Sequence, residues 1–298
     1  MSKLKQHLPL IASLWLLAGC AGSRQEVRLT GEPSMERALD MLNGTREGRP
    51  LINFLRAHQV FFEYSATPGL CHKFSLKAGK IQLPLEYKSS DLMLALAIAR
   101  AGHIYRLYTR TGLDEIISEE EELAALFAGR VALEIGPSSG DFGKTKEGAK
   151  MKGDFCAYIM ETSRDAMARA RAEVMTPDTQ CQRPLETLTN QRDWLEKIRK
   201  ALNDETFYQL LYERDMQRAK KGQITVNDAA RNAARLRGLP VYEVYRFQRT
   251  FYDKQSDVLK LSENLYADGL KEDEDWRNSR QAEIDRARGE FSDCELRP

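Results

Sequence analysis

The stretch LALAIARAGHIYRLY, Leu94 to Tyr108, decides how the rest of the chain is read. Two turns of aliphatic and small residues lead into Ala101-Gly102-His103, and apolar positions recur on every side. A helix that is apolar all round belongs in the middle of a core rather than at its surface. Ser89, Ser90 or Asp91 supplies the N-terminal cap. One imidazole, His103, interrupts the run and needs a chemical reason: a ligand, the remnant of one, or a histidine with a satisfied hydrogen bond.

Working outward, the elements before this helix are mixed. Residues 34–58 have helical periodicity broken at NGTREGRP, with Leu39, Leu42, Leu51, Phe54 and Leu55 on apolar faces. VFFEYS, Val60 to Ser65, is β-branched and aromatic and reads as a strand. FSLKAGKIQLP reads as a hairpin turning at Ala78-Gly79. After the central helix, SEEEELAALFAGRVALEIG starts a second helix at Ser118 that stops at Gly136. The expected fold is α+β and mostly helical, with a small N-terminal antiparallel sheet. The expected division is a domain at 34–136, a flexible loop at 137–153, a helical region at 154–267 and a loosely held charged tail at 268–298.

The chain opens with MSKLKQHLPLIASLWLLAGCAGS: two lysines, an apolar run from Leu8 to Leu17, then small residues closing on Cys20. An apolar run of about 10–14 residues is too short to span a bilayer and fits a secretion signal. LAGC, Leu17 to Cys20, resembles a bacterial lipobox. The resemblance implies a signal peptide at 1–19, acylation (palmitate among the chains) at Cys20, and a polar tether at 20–33. Several acyl chains, each buried methylene contributing about 0.8 kcal/mol, make a durable anchor. Ala21 after the cysteine implies, by the same resemblance, the periplasmic side of a Gram-negative outer membrane.

The composition is that of a folded soluble body: 42% hydrophobic, 30% charged. The net charge is +1, and loss of Lys3 and Lys5 with a leader makes it −1. There is no basic surplus for nucleic acid. Cys71, Cys156, Cys181 and Cys294 match no zinc-cluster spacing. In an oxidising compartment four cysteines allow two bridges in three connectivities, or partly reduced thiols.

Strand, hairpin, helix with AGH, then an acidic helix: over residues 36–135 this order resembles a degenerate zincin-type metallopeptidase domain lacking HExxH. In that family two histidines one turn apart bind zinc and the glutamate activates water. Aligning the second histidine with His103 makes the motif read Ala99-Arg100-Ala101-Gly102-His103. The first histidine becomes alanine, and the general base becomes a permanent cation that repels zinc and accepts no proton. The third ligand of such sites falls at Glu121 or Glu122, so the vestigial metal candidates are His103, Glu121 and Glu122. The same glutamates also have a local explanation: Glu121, three residues after Ser118, completes a capping box, and the acidic run suits the positive end of the helix dipole.

No catalytic residue, cofactor or zinc is therefore expected. The expected role is binding or scaffolding in the envelope, with the membrane reached through the lipid and a protein as partner. Two other classes stay open: a metal-dependent hydrolase built on His103 and Glu121 or Glu122 with His58 or His72 added, and a structural subunit of an envelope assembly. SSGDFGKT, Ser138 to Thr145, lacks the first glycine of a phosphate-binding loop and reads as loop. The aromatic set Tyr242, Tyr245, Phe247, Phe251 and Tyr252 spreads round its helix, as core packing would, with a partner-binding face as the alternative.

Overall fold

A computed structural model describes residues 27–65, 73–112, 117–160, 187–203, 206–224, 240–291 and 294. Helices α1 (Pro33–Asn43) and α2 (Gly48–Ala57) precede strands β1 (Phe61–Tyr64), β2 (Lys73–Ser75) and β3 (Lys80–Leu83). Helices α3 (Asp91–Thr111), α4 (Ser118–Ile135) and α5 (Lys146–Met160) follow. Beyond them come α6 (Leu188–Asn203), α7 (Thr206–Lys220), the 40-residue α8 (Pro240–Ser279) and α9 (Gln281–Glu290).

The quoted stretch lies in α3, which is central as its composition requires. Ser90 caps it, its hydroxyl accepting from the Met93 amide at 3.3 Å, and Gly112 ends it in the left-handed conformation at φ 66. Fifteen of its 21 residues are buried, because α1, α2, α4 and the turn before it surround the helix. Gly102 has a packing reason: a Cβ there would lie 3.1 and 3.2 Å from the Leu55 and Leu51 methyls of α2. The glycine of AGH lets two helices approach closely.

The sheet has the order β1-β3-β2 and is mixed. β1 runs parallel to β3 with Phe62 opposite Ile81, both fully buried, which corrects the expected antiparallel sheet. The β2–β3 hairpin is antiparallel and turns through Gly79 at φ 62. Period-two alternation tells which side chains face the core but nothing of strand direction, so FFEY and KIQL read identically either way.

Two further expectations are corrected. Residues 137–153 are not a loop throughout: a short 3₁₀ turn, Ser139–Phe142, leads into α5. Phe142 in that turn is fully buried and lies within 6.0 and 6.1 Å of Phe155 and Phe291, which marks SSGDFGKT as a packing element. The charged tail is held too. α8 continues to Ser279, α9 follows, and Ile284 and Phe291 are buried in the same core as α3. A Cys156–Cys294 disulfide, Cα atoms 5.5 Å apart, fastens the chain beyond α9 to α5. In a segment this rich in charge, a few correctly spaced apolar side chains suffice to dock it. Cys20, Cys71, Cys181 and His72 lie outside the described residues, as does Tyr242 as a side chain.

Candidate functional site

The helix crossing that the motif analysis singled out is filled by the protein's own side chains. His103 on α3 is 6% exposed and stacks on Phe127 of α4 at 4.6 Å between ring centres. Arg106, one turn on, donates from Nη2 to His103 Nδ1 at 2.9 Å. That bond makes Nδ1 the acceptor and assigns the neutral ring its proton on Nε2. Burial, followed by Arg106, Arg130 and Arg110, pushes the imidazole pKa well below its usual value. His103 is a neutral core histidine with a donor on one side and an aromatic ring on its face.

The two carboxylates aligned with a third ligand are engaged elsewhere. Glu121 accepts from Arg100 Nε at 2.9 Å, and Asp154 of α5 lies 3.6 Å from the same guanidinium. Burial alone would lower the Arg100 pKa, but the two carboxylates more than offset it and raise it. Glu122 accepts from the Tyr266 hydroxyl of α8 at 2.7 Å. His58 sits on the surface, its Nδ1 2.9 Å from the Phe54 carbonyl oxygen and its ring against Phe54. His103, Glu121 and Glu122 thus have different partners, and among the described residues no three His, Cys, Asp or Glu side chains are placed to hold a metal.

The capping expectation shifts by one residue. The N-cap is Ile117, and Glu120, not Glu121, reaches back to its amide at 3.5 Å. Glu120 also accepts from Thr111 at 3.3 Å, and burial pushes its pKa up to about 7. Glu119 accepts from the Leu188 amide with both oxygens at 3.1 Å, so it caps α6, not its own helix. The acidic run therefore holds three other elements in place.

Motif reading passed over Arg130 on α4, whose side chain is 4% exposed. It meets Glu272 at 2.9 Å and Glu47 and Asp273 at 3.7 Å, and lies over Phe127 at 5.5 Å. Asp273, fully buried, also accepts from Tyr158 at 3.2 Å. A lone arginine inside FAGRVAL was the available signal, since a cation within an apolar run calls for partners.

About 20 Å along α4 from Glu121, at 1.5 Å per residue, the surface opens. A concavity of ≈ 750 Å³ lies between the α1–α2 corner, the C-terminal end of α4, and α9. Leu133, Pro137, Phe155 and Ala287 lie buried beneath it, and Glu134, Glu283 and Glu290 share its walls with four arginines. Arg46 and Arg49 come from the corner, Arg280 and Arg286 from α9. Arg280 is paired with Glu283 at 2.7 Å, and Arg49 donates to the Asn43 carbonyl at 3.2 Å. Among the described residues Arg46 and Arg286 have no carboxylate within ion-pair distance. Sequence reasoning missed this site because Arg46 and Arg49 lie more than 230 positions from Arg280 and Arg286 and the four form no motif.

In what the chain is similar to, the comparisons are empty: no protein-family model, no curated protein and no solved structure matches it.

Proposed function

We propose that the protein is a lipid-anchored envelope protein that works by binding or scaffolding rather than by hydrolysis. The observation that carries the second half is the Arg100–Glu121–Asp154 cluster. Where a zincin helix carries its general base, this helix carries a permanent cation held by two carboxylates. Beside it His103 is neutral, stacked and hydrogen-bonded. A group so engaged would have to break two contacts before it bound an ion. The open concavity at the other end of α4 offers a surface for a partner, walled by charged side chains.

The anchoring half rests on LAGC, Leu17 to Cys20, and places the folded body on the periplasmic face of a Gram-negative outer membrane. The Cys156–Cys294 bridge supports that placement, because disulfides persist in oxidising compartments. Expression of the full chain in a Gram-negative host tests the reading. Mass spectrometry should find residues 1–19 removed and Cys20 acylated, and Cys20→Ser should release the protein from membranes. An intact N-terminus with unmodified Cys20 would refute the anchor; peptide hydrolysis abolished by His103→Gln would refute the binding role.

A further inference from the structure

The proposal that the protein works by binding leaves open what is bound, and the arginine-walled concavity narrows it. We infer that this groove takes a short, acidic peptide segment, its carboxylates against Arg46 and Arg286.

The charge arrangement is the first ground. Arginines that serve structure here have acidic or carbonyl partners: Arg100 with Glu121 and Asp154, Arg130 with Glu272, Arg280 with Glu283, and Arg288 with Asp285 at 3.0 Å and the Ile159 carbonyl at 2.5 Å. Arg46 and Arg286 have no such partner among the described residues, as exposed Arg28 and Arg110 have none, but these two stand at the walls of a concave surface. Guanidinium forks match carboxylates and phosphates with two parallel hydrogen bonds, so two such groups on opposite walls recognise a ligand with more than one anionic group.

Size and lining give the second ground. A volume of ≈ 750 Å³ holds several residues of an extended chain, and it lies in the usual range for ligand pockets of about 300–1,000 Å³. The floor is closed by the buried side chains of Leu133, Phe155 and Ala287, and the surface a ligand meets is mainly that of the charged walls. Glu290, which has no ion pair among the described residues, stands on the same wall as Arg286. With Glu134 and Glu283 it sets three carboxylates among the four arginines, so the walls offer acceptors for amide or ammonium groups as well as donors for carboxylates. A peptide supplies both kinds of group, carboxylates and N–H donors.

The groove is also braced. Phe155 in its floor precedes Cys156, whose bridge to Cys294 secures the end of α9 to α5. The disulfide thereby fixes the distance between the α9 wall and the rest, which is the preorganisation that lowers the cost of binding.

Fluorescence anisotropy tests the inference on the full chain in neutral detergent, at low salt. The probe is hexaglutamate with an unblocked N-terminus and a C-terminal dye; hexalysine and inorganic phosphate are the comparators. Hexaglutamate should bind and hexalysine should not. The double variant Arg46→Glu/Arg286→Glu should weaken binding at least about tenfold, while the charge-matched Lys254→Glu/Lys260→Glu, two exposed positions on α8, should change it less than about twofold. Equal weakening by both variants would reduce the effect to overall charge and overturn the inference. So would displacement of the peptide by phosphate at the peptide's own concentration, or no binding at all. Since each variant keeps the α3 and α4 core, circular dichroism separates lost binding from lost fold. A partner captured through a different face would overturn this inference and leave the binding role standing.

Discussion

The two ends of α4 are built on opposite rules. At the end that meets α3, the buried polar side chains have partners: Arg100 with Glu121, His103 with Arg106 and Phe127, Glu119 with the start of α6, Glu122 with Tyr266. At the other end the helix runs out beside a concavity whose arginines are only partly matched. Pairing makes the first end rigid and chemically quiet, since each group would have to give up a partner to meet a ligand. Incomplete pairing leaves the second end with charge to offer. The feature that draws attention in the sequence is structural, and the site with binding capacity carries no motif.

Replacing an arginine from each class breaks this contrast most directly. Arg130→Leu removes the guanidinium that lies between fully buried Asp273 and the carboxylates of Glu47 and Glu272, and should cost about 3–5 kcal/mol in urea denaturation. Arg46→Leu should cost less than about 0.5 kcal/mol, as surface changes usually do. Comparable losses at both positions would erase the distinction. The disulfide comes next. It closes a loop with a sequence separation of 138, and Cys294→Ser should lower stability by about 2–5 kcal/mol. Protection of α9 amides from hydrogen exchange should fall before that of α3.

The core end also predicts a pH dependence with two opposing signs. Burial raises the Glu120 pKa from 4.5 to about 7, so the folded protein holds this proton more tightly than the unfolded chain. Stability from this group declines as pH rises from 4.5 through 7, by about 3 kcal/mol at most. Glu120→Gln should therefore gain stability at pH 8 and gain nothing at pH 4. His103 acts the other way. Its folded pKa lies below the ordinary 6.5, so the unfolded chain takes the proton first and stability is lost as pH falls below 6.5. His103→Gln, which keeps an acceptor for Arg106, should flatten the acid limb and cost little at neutral pH. A variant with an unchanged acid limb would deny His103 its neutral, buried state.

Much of the fold was legible locally. The caps at Ser90 and Gly136 and the apolar wrap of Leu94 to Tyr108 are short-range patterns, and they appear where the sequence puts them. Strand direction was not legible, because FFEY and KIQL carry no record of which way they pair. The tail misled by composition: Ile284 and Phe291 are two side chains among many charges, yet they reach the core. At the candidate site, Arg100 and Glu121 are 21 positions apart and meet because α3 and α4 pack against each other, so their pairing could be guessed from opposite charge. The groove is different. Arg46 and Arg286 become neighbours of one cavity only after α9 docks, and nothing near either residue announces it.

The α3–α4 crossing is closed by its own ion pairs, Arg100 with Glu121 and Asp154. Metal analysis of the purified full chain, equilibrated with zinc and then desalted at neutral pH, tests it most directly. Zinc should stay far below one ion per chain, with no difference between wild type and His103→Gln. One zinc per chain, lost on His103→Gln, would contradict it.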